Sequence, residues 1–168
     1  EAGLMGMHLD GYGCAGASAV EYGLACLELE AGDSGVRSLV SVQGSLAMYP
    51  IWKYGSAEQK DRWLPGRAAG ELLGCFGLQE PDSGSDPSSM TTRATPMATG
   101  YRLDGVKMWI TNGTIADVSV IWAKVADPES GKAVVRGFVV PPSSPGLSAH
   151  QVPAKLPLRA PPTAAHRL

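Results

Sequence analysis

Apolar and polar positions follow two different periods along this chain, and the change from one to the other falls near Gly70. In the first part Val20, Leu24 and Leu27 recur at helical spacing behind Ser18-Ala19-Val20-Glu21. That tetrapeptide is a capping-box pattern, in which a hydroxyl and a carboxylate satisfy the free amides of a helix start. The spacing predicts a helix over 18–30 with one apolar stripe, broken by Gly32-Asp33-Ser34-Gly35. A second helix is predicted to carry Arg37, Leu39, Val40 and Leu46 and to be limited by Pro50. Ser56-Ala57-Glu58-Gln59 is another capping box, opening a short helix expected to end near Trp63-Leu64 ahead of Pro65, with Gly70 as its closing punctuation.

From Leu72 onward the runs are short, apolar or alternating, and separated by Gly, Pro, Asn and Asp, which predicts strands over 72–78, 101–103, 106–110, 118–124 and 134–140. Asp104-Gly105 predicts a tight antiparallel hairpin, and Pro141-Pro142-Ser143-Ser144-Pro145-Gly146 a surface loop. Strands that cluster after the helices imply an α+β arrangement and not a doubly wound parallel sheet. The expected organisation is a helical part over 1–70, a β part over 71–159 and a divergent tail over 160–168. The tail carries neither period and reads as a truncation or a shifted reading frame.

Composition narrows the function classes. Charged residues are 18% of the 168, with a formal net charge of -2, so no basic surface invites nucleic acid or an anionic membrane. No apolar run reaches the roughly 20 residues of a membrane span. Cys14, Cys26 and Cys75 are odd in number and lack CxxC spacing, which favours reduced thiols in a cytosolic or matrix-like compartment and no metal site. A bacterial cytoplasm is expected ahead of a mitochondrial matrix. Gly11-Tyr12-Gly13-Cys14-Ala15-Gly16 fits the spacing of a dinucleotide fingerprint, but Gly3, Gly6 and His8 interrupt the strand that should precede it and helices follow it. A glycine loop leading into a helix is the better reading.

Three constellations carry chemistry. Arg37 and Ser41 stand four apart on one helix face, with Ser38 and Glu30 near them. A guanidinium fork matches a carboxylate, whereas the plainer reading pairs Arg37 with Glu30 or Asp33 at the surface. Phe76-Gly77-Leu78-Gln79-Glu80-Pro81-Asp82-Ser83-Gly84-Ser85-Asp86 runs from a strand into a Gly/Ser turn whose amides and Ser85 hydroxyl suit an anion or a polar ring edge; on chemistry alone it passes as an acidic turn. Trp109 and Thr111, two apart around Ile110, present an indole and a hydroxyl on one strand face, although a Trp in such a hairpin is most often core.

The second and third of these motifs, in this order and without gaps, resemble the flavin-binding middle domain of the acyl-CoA dehydrogenases. Asp33-Ser34-Gly35-Val36-Arg37-Ser38 is similar to the glutaryl-CoA dehydrogenase branch. The resemblance runs from about Gly11 to Arg159 and implies the end of a helical domain followed by an antiparallel, barrel-like β middle domain, truncated before the family's C-terminal helical domain. It implies FAD held by Phe76, Gly77, Leu78, Gln79, Ser85, Trp109, Ile110 and Thr111. It implies an acyl-CoA substrate, glutaryl-CoA first, met by Glu30, Arg37, Ser38, Ser41 and Ser85, with Arg37 and Ser41 on its distal carboxylate. Gln79 stands where the family usually has Thr. The resemblance further implies oxidative decarboxylation to crotonyl-CoA by a complete homotetrameric enzyme that passes electrons to an electron-transfer flavoprotein. A dehydrogenase of another short acyl-CoA and a non-catalytic product of a degraded gene are the alternatives. The family's general base is a glutamate of the C-terminal domain, so no residue here inherits that role and this stretch alone is expected to be inactive.

Overall fold

The structure is a computed structural model and describes residues 2–153, 155, 156, 158 and 160–168. The expected limit at Arg159, and Pro157 within the stretch thought to precede the tail, lie outside the described residues. Helices come first and strands second, in the order the residue pattern implies.

Helix α1 (Ala19–Gly32) starts at Ser18, whose hydroxyl accepts from the Glu21 amide while the Glu21 carboxylate accepts from the Ser18 amide. Asp33 then caps α2 (Ser34–Ser41) by accepting from the Gly35 and Val36 amides. The predicted stop at Pro50 is not where the rod ends. From Val42 to Met48 the backbone widens into a π-helix, and α3 (Tyr49–Tyr54) continues with Pro50 in its first turn. A proline there removes an amide that needs no partner within α3, so the ring is tolerated. Helix α4 (Ala57–Ala68) opens on the Ser56–Gln59 capping box and likewise runs past its expected end, through Pro65, before Gly70 turns the chain at φ +78°.

Among the described residues eight strands follow: β1 (Gly74–Gly77), β2 (Arg93–Pro96), β3 (Tyr101–Asp104), β4 (Val106–Thr111), β5 (Val118–Ala126), β6 (Ala133–Val140), β7 (Ser148–Gln151) and β8 (Thr163–Arg167). In the larger sheet β5 pairs antiparallel with β6 on one side and parallel with β1 on the other, with β2 parallel beside its far end and β3 antiparallel to β2. Pairing within the β part is therefore mixed and not wholly antiparallel. The 40 residues between β1 and β5 are long enough for the crossover that parallel strands require.

Two expectations fail here. Asp104-Gly105 is no hairpin turn, because β3 and β4 belong to different sheets and the chain crosses between them at Gly105. The Thr92 side chain occupies the place a β-carbon on residue 105 would need, which is the reason for glycine. The tail is no structureless remnant either: β8 lies between β4 and β7 in a three-stranded sheet, with Ala164 and His166 buried. Ala-Ala-His at this position shows little β-propensity, but the cross-strand partners supply the burial.

The helices are bonded to the larger sheet by buried polar groups. Gln43, on the π-helix, reads the edge of β1 like a neighbouring strand: its Nε2 donates to Gly74 O at 2.7 Å and its Oε1 accepts from Gly74 N at 2.8 Å. Arg67 from α4 donates to Gln43 Oε1 at 3.0 Å and to Ala47 O at 2.7 Å, and burial holds its pKa down at about 10. Its guanidinium fills the space a side chain on Gly74 would take. Leu9, Met48, Ile51, Trp63, Leu64, Val118 and Val120 form the apolar core under this joint.

Candidate functional site

Where the π-helix meets the end of β1 and the middle of β4, a cleft of about 350 Å³ opens, lined by Val42, Leu46, Phe76, Leu78, Gln79, Gly84, Trp109 and Thr111. Five residues expected at a cofactor, Phe76, Leu78, Gln79, Trp109 and Thr111, thus come together from two separate segments. Gly77 and Ile110 do not reach the cleft. They lie in the wall behind it, Ile110 in the core and Gly77 where a β-carbon would meet Ile121 Cδ1 at 2.5 Å. Ser85 is exposed and does not line the cleft, although its neighbour Gly84 does.

Trp109 is no core residue, because 52% of it is exposed. Its exposure has a backbone cause. The β4–β8 register shifts between Lys107 and Ile110, and within that bulge Trp109 takes φ +63°, a left-handed conformation rare for a bulky side chain. The bulge turns the indole out of the sheet while Lys107 and Ile110, three apart, both stay buried.

The loop after Leu78 is anchored by a buried ion pair that the residue pattern did not single out. Lys107 Nζ lies 2.9 Å from Glu80 Oε1, with side-chain exposures of 0% and 5%. Glu80 also accepts from the Thr91 and Thr92 amides at 2.6 and 2.9 Å and from both hydroxyls. Burial alone would raise its pKa, but those bonds and the Lys107 ammonium prevail and hold it down at about 2. Burial pulls the Lys107 pKa down against the same partner. Glu80 is therefore a fixed carboxylate with no capacity to take up a proton near neutral pH.

The second constellation lies along the helical rod. Arg37 Nε donates to Glu30 Oε2 at 2.5 Å, and Nη1 is 3.5 Å from Ser41 Oγ. The bond to Glu30 raises the Arg37 pKa. The plainer surface pairing with Glu30 is thus formed, at side-chain exposures of 32% and 47%, and Ser41 joins it as the four-residue spacing requires. Arg37 is not in the cleft lining. Ser41 directly precedes Val42 of the cleft wall, and Arg37 lies about 7.5 Å from Val42 along the axis at the rise of a helix. Ser38 is half-buried on α2.

Val42 and Leu46 line the cleft, although the residue pattern named Leu46 only as a position of the second helix and did not single out Val42. Their four-residue spacing just after Ser41 is the signal that marks them. Gly11 to Gly13 form a turn, and among the described residues no strand precedes it, unlike a dinucleotide-binding unit.

This order of helices, mixed sheets and loop-lined cleft defines a family. Residues 1–71 match the acyl-CoA dehydrogenase N-terminal domain and residues 75–168 the acyl-CoA dehydrogenase middle domain, and the chain belongs to the acyl-CoA dehydrogenase family. It is 61% identical to the crystal structure of glutaryl-CoA dehydrogenase from Mycobacterium smegmatis, with a TM-score of 0.94 over 100% of this chain and 42% of that one. A second structure of a glutaryl-CoA dehydrogenase from that organism, in complex with FADH2, is 57% identical with a TM-score of 0.93 and covers 99% of this chain and 42% of its own. An acyl-CoA dehydrogenase of Bacillus subtilis is 39% identical over 155 residues, 92% of this chain and 41% of that protein. The chain spans about two-fifths of the length of these relatives. The match of the middle-domain model through residue 168 agrees with the ordered β8.

Proposed function

We propose that this chain forms the helical and cofactor-binding portion of an FAD-dependent dehydrogenase whose substrate is a dicarboxylic acyl-CoA, glutaryl-CoA first. The observation that carries the reading is the cleft. An exposed indole, the Gln79 amide, the Thr111 hydroxyl and an apolar surface from Val42, Leu46, Phe76 and Leu78 make an amphipathic set that fits a flat ring with polar edges. FAD bound there supplies the two-electron acceptor. Trp109 would offer a face for the ring, Thr111 and Gln79 would offer hydrogen bonds to its edge, and the apolar wall would keep water away from the reacting carbons. Gln79, where the family usually has Thr, puts a longer amide side chain in the lining.

Arg37 and Ser41 would take the distal carboxylate, with Glu30 holding the guanidinium in place until then. Neither Glu30, paired with Arg37, nor Glu80, fixed by Lys107, is available as the base that removes the α-proton. That base comes from the C-terminal helical domain of the complete enzyme, which we also assign homotetramer formation and electron delivery to an electron-transfer flavoprotein. Glutaryl-CoA then loses carbon dioxide after oxidation and gives crotonyl-CoA.

The test is Arg37→Met in the chain completed with a family C-terminal domain. The methionine keeps the aliphatic stem and removes the fork. Glutaryl-CoA binding should weaken by about 2–3 kcal/mol, the range for hydrogen bonds to a charged group. Butyryl-CoA, which has no distal charge, should be little affected. Equal losses for both substrates would return the assignment to an acyl-CoA dehydrogenase of unspecified chain.

A further inference from the structure

We infer that Glu80 and Lys107 are a positioning pair that sets the two walls of the cleft, the loop carrying Gln79 and the bulge carrying Trp109, against each other. What binds between the walls rests on the flavin reading above, whereas the coupling of the walls rests on the fold alone. Lys107 Nζ donates to Leu78 O at 3.0 Å and to Glu80 Oε1 at 2.9 Å, the two neighbours of Gln79. Gln79 O in turn accepts from Met108 N at 2.9 Å. Residues 78–80 are thus tied at three successive points to residues 107 and 108, immediately before the left-handed Trp109. Thr91 fixes the far oxygen of the Glu80 carboxylate, Oε2, while Thr92 bonds the same Oε1 that takes Lys107, so the ammonium is held against an immobile partner.

A buried ion pair is seldom the most stabilising choice for a core, because apolar residues of similar volume serve as well or better. What this pair adds is direction. It reaches backbone on one wall while its own Cα belongs to the other, and the register shift that exposes the indole begins at Lys107 itself. With the pair removed, the bulge loses its anchor to the loop and Trp109 is free to take other orientations.

The experiment uses the full chain labelled with 5-fluorotryptophan. Its four tryptophan resonances are assigned by single Trp→Phe changes. Variants are Glu80→Gln, which keeps an acceptor for the threonine amides, and the paired Glu80→Gln with Lys107→Met, which removes both charges together. In the paired variant the Trp109 resonance should shift or split while those of Trp52, Trp63 and Trp122 hold, and FAD affinity should fall on the order of tenfold, as for one well-placed hydrogen bond. An unmoved Trp109 resonance overturns the inference. So does movement or collapse of all four in both variants, which would make the pair a general folding element. If the chain completed with a family C-terminal domain takes up no FAD, the flavin reading fails, and the Trp109 resonance still decides the role of the pair.

Discussion

Trp109 carries more of the site than its one position suggests. Its indole is exposed only because the backbone takes φ +63° inside the β4 bulge, and Thr111, two residues on, shares the same cleft. The two should separate in their effects. In the completed enzyme Trp109→Ala should chiefly lower flavin content, since it removes the packing face, while Thr111→Val should leave content near normal and slow flavin reduction. The loss of one hydrogen bond corresponds to about 1 kcal/mol, or roughly a five-fold change in rate. Flavin absorbance and stopped-flow reduction read the two quantities, and unchanged values in both variants would remove these residues from the cofactor wall. Residue spacing placed Ser41 beside Arg37, whereas Trp109 and Thr111 share the cleft through a bulge that the two-residue spacing did not show. It gave no sign of the Glu80–Lys107 pair, whose members are 27 apart and meet only through the fold.

At the scale of elements, the capping boxes at Ser18 and Ser56 and the five apolar strand cores were readable because short-range chemistry specifies them. Errors fell where a proline lies inside a helix, at Pro50 and Pro65, and where tertiary contacts override weak local preference. Strand β8 is the clearest case. Its His166 is buried, with Nε2 2.9 Å from Gly113 O, so Nε2 carries the proton and donates, and Nδ1 has no partner. Burial lowers the His166 pKa, against the opposing effect of that bond. A folded-state pKa below the unfolded value of 6.5 means that stability is intact above 6.5 and declines as pH falls below it, toward and through the folded value. Chemical unfolding between pH 7.5 and 5 should show this decline, limited to about 1.4 kcal/mol per pH unit for one proton. His166→Leu should have a flatter profile, with His8, also lowered by burial, responsible for part of what remains. Parallel profiles would show that the histidine on β8 is not among the groups that sense acid.

The whole molecule combines the cleft, framed by buried polar joints, with apolar surfaces that the described residues leave exposed. Val20, Leu24 and Leu27 form the helical stripe their spacing predicts, yet they are 71%, 57% and 64% exposed. An amphipathic helix normally buries such a stripe, so the pattern was legible while its partner was not. In the proposed reading the α-proton base also comes from outside these residues, because Glu30 and Glu80 are both engaged in ion pairs. The most direct test of this account is turnover of glutaryl-CoA and butyryl-CoA, with added FAD and an artificial electron acceptor, by the chain alone and by the chain completed with a family C-terminal domain. The account predicts no turnover by the chain alone and, in the completed protein, turnover that favours glutaryl-CoA. Turnover by the chain alone, or a completed enzyme that prefers butyryl-CoA, would contradict it.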